Sequence, residues 1–128
     1  MPIKIITDST SDLPESAACE LGITVVPCYI NIGEKSYLDG FEMTHQEFYN
    51  QLPSLEVLPK TASPNQKAFE SAYVQAADEG ATHIISIHVA GTFSSVVDTA
   101  RMAAGAVQGV SVTVFDSGTV SMGMGFLA

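Results

Sequence analysis

Ile3-Lys4-Ile5-Ile6-Thr7-Asp8-Ser9-Thr10-Ser11-Asp12 runs from an isoleucine-rich segment straight into six consecutive polar residues, all carboxylates or hydroxyls. Residues 3–7 read as a strand with the apolar run of a parallel sheet, which is covered on both faces. A polar loop then stands at the strand's carboxyl end. In open α/β sheets ligands bind outside those ends, so the stretch marks one wall of a site.

Working outward, Asp12-Leu13-Pro14-Glu15 carries a helix-start signal, with Asp12 as N-cap, proline in the first turn and Glu15 closing a capping box. A helix over about 14–21 stops at Gly22, and the β-branched 23–26 is a second strand. Cys28 to Ile32, Gly33-Glu34 and Lys35 to Leu38 form a small hairpin at a sheet edge, where Pro27 is tolerated. Thr44-His45-Gln46-Glu47 opens a short helix to about Leu52, with Phe41, Phe48, Tyr49 and Leu52 on its apolar side. Residues 53–60 have no period and read as loop. Ser63-Pro64-Asn65-Gln66 is a third capping box with Ser63 as N-cap, and its helix runs to about Glu79 with Phe69, Ala72, Tyr73 and Ala76 on one face.

His83 to His88 is a third long strand and runs into the loop 89–95; a helix from near Ser94 to about Val107 comes next. Val110 to Phe115 is the last strand and empties into Asp116-Ser117-Gly118-Thr119, ahead of a helix over 120–128. Three strands thus end in hydroxyl-bearing loops. The expected fold is α/β, a mostly parallel open sheet with helices on both faces and a small edge hairpin, all three loops on one edge and the 60–63 loop joining them.

The 128 residues, 46% hydrophobic and 15% charged, suit one globular domain. Five Lys and Arg against fourteen Asp and Glu give a formal charge of −9, which repels nucleic acid and anionic membrane surfaces. No apolar run approaches membrane-spanning length, and the expected location is cytoplasmic. Cys19 and Cys28 match no metal or redox spacing and read as buried free thiols. A single carboxylate ligand remains compatible with this charge, because hydroxyls and helix N-termini can hold it.

A hydrolase reading takes Ser94 or Ser9 as nucleophile, His88 as base and Asp8 or Asp116 as its orienter, but no Gly-x-Ser-x-Gly elbow is present. A metal site from Asp8, Asp116 and His88 lacks a close ligand pair, so neither metal nor cofactor is expected. Ser63, Thr44 and Asp12 are simply explained as helix caps, and Asp8-Ser9 and Asp116-Ser117 as hydrogen-bonding devices inside their loops. Thr61 and Ser94 stand apart as two hydroxyls just ahead of helix starts on the same edge.

Six segments resemble the first domain of the DegV family, bacterial fatty-acid-binding proteins that present an acyl chain to a fatty acid kinase. They are Ile6 to Pro14, Leu21 to Pro27, Asp39-Gly40, Pro59 to Pro64, Ile85 to His88, and Asp116-Ser117 together with Val120 to Gly123. The resemblance implies that Thr61 and Ser94 hold the fatty acid carboxylate. Around them Ala62 and Asn65 replace the serines of the Thr-Ser-x-Pro-Ser pattern, and Ser95, Val96 and Val97 replace glycine, threonine and tyrosine. It further implies a second domain that encloses the ligand and supplies a histidine. The chain is therefore expected to be the first domain alone, with apolar surface left near its C-terminal end and a tendency to self-associate there.

On this reading the chain is a binder and not an enzyme. An acyl tail of a dozen methylenes supplies about 10 kcal/mol before ordering costs. Thr61 and Ser94 then set which end enters, with Asp8, Ser9, Thr10, Ser63, His88, Asp116 and Ser117 as a supporting shell. Two other readings stay open: a small serine hydrolase using Ser94, His88 and Asp116, and a truncated scaffold domain that binds nothing.

Overall fold

Four segments dense in β-branched residues pair in register as parallel strands: β1 (Ile3–Asp8), β2 (Thr24–Val26), β3 (His83–His88) and β4 (Ser111–Asp116). The computed structural model describes residues 2–128. Their order in space is β2-β1-β3-β4, with Ile6 opposite both Thr24 and Ser86, and Ser86 opposite Val114. All four carboxyl ends consequently lie on one edge, as the sequence predicts.

Helices connect these strands. α1 (Glu15–Leu21) links β1 to β2, α2 (Gln66–Asp78) precedes β3, and α3 (Val96–Ala106) links β3 to β4. Right-handed crossovers fix their sides. The chain moves one way from β1 to β2 and the other way from β2 past β1 to β3 and on to β4. So α1 lies on one face, and α2 and α3 pack together on the other. The strand order reverses between β1 and β3, which is where such sheets form their crevice.

The core fills the face under α2 and α3. Ile6, Ile84, Phe69, Tyr73, Val96, Ala100 and Ala103 are all buried there, with Met124 closing one end. Phe69, Tyr73 and Ala76 are the buried residues of α2, matching the expected apolar face, and each large side chain contributes roughly 1.5–3 kcal/mol.

Several local expectations are corrected. The hairpin is not on the edge of the main sheet. Its strands β5 (Tyr29–Ile32) and β6 (Lys35–Leu38) join β7 (Lys60–Ala62) in a separate antiparallel sheet of order β6-β5-β7. Residues 60–62 are thus a strand where the sequence predicts loop, because β5 offers them a partner that no local pattern reveals. Asp12 does not cap α1. Ser9–Ser11 form a 3₁₀ turn capped by Asp8, which leaves Asp12 left-handed (φ 56°) with its N–H on the Ser9 carbonyl, and α1 starts after Pro14 without a side-chain cap. Ser63 does not cap α2 either; Asn65 does, accepting the Ala68 N–H at 2.8 Å. The Thr44 capping box forms as expected, with Thr44 and Glu47 exchanging bonds at 2.8 and 3.1 Å. Its helix, α4 (His45–Gln51), nevertheless buries no residue, and Phe41 and Tyr49 are exposed. The terminal helix is shorter than expected, a single turn α5 (Met122–Gly125).

Candidate functional site

The last residues of β1 and β3 are Asp8 and His88, side by side at the reversal of strand order. Asp8 Oδ2 lies 2.6 Å from His88 Nδ1, and both side chains are fully buried. The other ring nitrogen, Nε2, is 2.6 Å from Ser86 Oγ, which is 2.8 Å from the Tyr73 hydroxyl. The relay closes in one direction when Tyr73 donates to Ser86, Ser86 to Nε2, and Nδ1–H to the carboxylate. Asp8 Oδ1 accepts the Thr10 N–H at 2.9 Å and the Thr10 hydroxyl. The edge of Phe69 packs on the imidazole, with ring centroids 5.1 Å apart. Among the described residues no buried side-chain polar atom lacks a partner.

This geometry corrects the hydrolase assignment. Asp8, His88 and Ser86 repeat the carboxylate, imidazole and hydroxyl order of a catalytic triad, yet all three are sealed under α2, where no substrate reaches Ser86. Both ring nitrogens of His88 are occupied, and Ser94 and Asp116 are engaged elsewhere. Ser94 Oγ accepts the Val96 N–H at 3.2 Å. Asp116 accepts the Gly91 N–H at 3.1 Å and the Gly118 N–H at 3.0 Å. Those two donors, Gly118 first, hold its carboxyl below the usual carboxylate range.

The neighbouring polar residues tie the loops together. Ser9 Oγ accepts the Cys28 N–H at 2.9 Å, tying the turn after β1 to the residue just before β5. The Ser117 N–H reaches the His88 carbonyl at 3.0 Å, and the Ala90 N–H reaches the Thr119 carbonyl at 2.9 Å. Burial, and then the nearby Asp8 carboxylate, push the Cys28 thiol up to about 12, so it stays protonated at neutral pH.

Thr61 lies on β7 opposite Ile30 and is exposed; Ser94 is half-buried just before α3. Their segments touch, with Ser63 Oγ 3.1 Å from Ser95 Oγ. Ser94 accepts from Val96, so its own O–H remains to donate. The sequence reading places Tyr73 only on an apolar helix face and gives Ser86 no role, and so misses their hydrogen-bonded link to His88. The signal that could have found them is Ser86 sharing a strand face with His88 at a spacing of two, an unusual polar pair in an apolar strand.

A cleft of about 620 Å³ opens between α1 and the Asp39–Gln46 segment; of the candidate site residues, only Ser9 lines it. No helix of the described residues is long and apolar enough to cross a membrane.

Residues 2–128 match the model of an uncharacterised protein family, DegV. The chain belongs to the DegV family. A DegV domain-containing protein of Deinococcus radiodurans is 38% identical over 125 residues, covering 98% of this chain and 44% of that protein. A Thermus thermophilus DegV family structure, described by its fatty acid binding, superposes with a TM-score of 0.89 at 37% identity, over 99% of this chain and 45% of the other. DegV of Bacillus subtilis, described as a fatty acid binding protein, gives 0.94 at 26% identity over 100% and 45%. The chain thus spans less than half the length of the DegV proteins it matches.

Proposed function

We propose that this chain binds a long-chain fatty acid, with the Thr61 and Ser94 hydroxyls holding the carboxylate, and does not turn it over. The observation that carries the reading is the Ser63–Ser95 contact at 3.1 Å, which joins the two motif segments beside the carboxyl edge of a DegV sheet. Family relatives described as binding fatty acids support the ligand class. Asp8, Ser9, Thr10, Ser63, His88, Asp116 and Ser117 act as supporting shell: through them β1, β3 and the loops after them hold one geometry. The carboxylates among them would repel the ligand head group, so they act through the loops and not by contact.

In this reading the chain serves as the first domain of a two-domain carrier in the cytoplasm that presents its acyl chain to a fatty acid kinase. The exposed Val120, Phe126 and Leu127 form the surface through which isolated copies self-associate. Binding of a fatty acid and of its matching alcohol to Thr61→Ala and Ser94→Ala variants tests the head-group assignment. Each hydrogen bond to the carboxylate is worth about 1.5–3 kcal/mol, so the acid should lose at least tenfold and the alcohol far less. Equal losses would remove both residues from carboxylate recognition.

A further inference from the structure

We infer that the cleft between α1 and the Asp39–Gln46 segment is a second binding site, one that takes a small organic cation with an apolar body. The site goes beyond fatty-acid binding, and neither Thr61 nor Ser94 lines it. Its volume of about 620 Å³ lies in the range of small-molecule sites, roughly 300–1,000 Å³. The wall is mostly apolar, built from Leu13, Pro14, Ala18, Ile23, Val25 and Phe41. Ala18 and Ile23 are buried, whereas Phe41 is 66% exposed.

Charge decides the class of occupant. Three carboxylates, Asp12, Glu15 and Asp39, line the cleft, and no lysine or arginine does. His45 Nε2 stands 3.3 Å from Asp39 Oδ1, and the Asp12 carboxylate accepts the Ser121 hydroxyl. Glu15 opens α1 and is exposed. An anion entering here meets these carboxylates in a protein of formal charge −9. An ammonium on an apolar body instead gains both the carboxylates and the exposed aromatic ring of Phe41, which attracts cations. A fatty acid is therefore the wrong ligand for this cleft, and an arylalkylamine the right one.

The chain has no tryptophan, so an indole probe is the only indole fluorophore in the sample. Tryptamine, tryptophol and indole-3-acetate share that body and carry a cation, a neutral hydroxyl and an anion. Fluorescence anisotropy of each, titrated with the protein, should rank them in that order, with the amine up to about fivefold tighter than the alcohol, as befits an exposed ion pair. Glu15→Gln should reduce the amine's advantage, and Phe41→Ala should weaken both the amine and the alcohol. Position is read independently from Cys19, an exposed thiol that lines the cleft, since Cys28 is buried. Bound tryptamine should slow alkylation of Cys19 by iodoacetamide. Equal binding of the three probes, no binding of tryptamine, or unchanged Cys19 alkylation under saturating tryptamine would overturn the site. Those outcomes are independent of the Thr61 and Ser94 tests, so either site can fail alone.

Discussion

The Asp8 carboxylate and the His88 imidazole meet at 2.6 Å with no solvent exposure on either side chain, and they join the last residues of two adjacent parallel strands. A buried pair of this kind is costly to break from one side, because the surviving group is left without a partner. His88→Ala should lower the unfolding free energy by about 3–5 kcal/mol. The Asp8→Ala/His88→Ala double variant should lose less than the sum of the two single losses. Urea unfolding of the four proteins measures both quantities. Additive losses would mean that the pair is not a coupled unit.

Tyr73 terminates the same relay from the helix side. Its hydroxyl meets Ser86 at 2.8 Å, and burial pushes its ionisation up to about 12, the Ser86 hydrogen bond opposing only in part. An absorbance titration of tyrosinate should therefore show one of the four tyrosines ionising about two units above the ordinary value near 10, and Tyr73→Phe should remove that phase. The same variant should cost about 1–3 kcal/mol, since it deprives a fully buried Ser86–His88 pair of one bond.

Much of this arrangement is legible in the sequence where local patterns carry it. The strand His83–His88 matches its β-branched run, and the Thr44 box announces its helix because both partners lie within four residues. Pairing of His88 with Asp8 is one of the two alternatives the hydrolase reading offers, but its burial and its continuation through Ser86 to Tyr73 are not legible, because they depend on β1 pairing with β3 across 80 residues and on α2 covering both. The same holds for β7: Lys60-Thr61-Ala62 is too short to show a period, and its strand state comes from β5. Asp12 misleads because an aspartate ahead of proline fits an N-cap equally well, while the 3₁₀ turn that claims it depends on Asp8. The candidate head-group residues show a third pattern. Thr61 and Ser94 are named by motif, and the contact between their segments is made by the neighbours Ser63 and Ser95.

The two cysteines should differ sharply in reactivity. Against the expectation that both thiols are buried, Cys19 is exposed on α1; Cys28 is buried, with its thiol held protonated up to about 12 by desolvation and by Asp8. A thiol reagent such as Ellman's, added to the folded protein at pH 8, should titrate one thiol rapidly and the second only on unfolding. In Cys19→Ser the rapid phase should vanish. Two fast phases in the folded wild type would contradict the burial of Cys28.

Asp116 links the loops after β3 and β4 through its carboxylate. Its carboxylate accepts the Gly118 and Gly91 N–H groups, which lowers its value in the folded state below that of an unfolded carboxyl, about 3.9. By linkage, the stabilisation is fully present above the unfolded value and is lost as pH falls through the lowered folded one. Asp116→Asn should therefore be less stable than wild type at pH 7, with the gap closing below about pH 4. Gly91→Ala should act on the same contact at neutral pH, since a Cβ there would stand 2.9 Å from Asp116 Oδ2 and 3.1 Å from Val97 Cγ1. Thermal unfolding across pH 3–7 checks both variants. A gap between wild type and Asp116→Asn that stays constant over that range would show that these two N–H groups do not favour the ionised carboxylate.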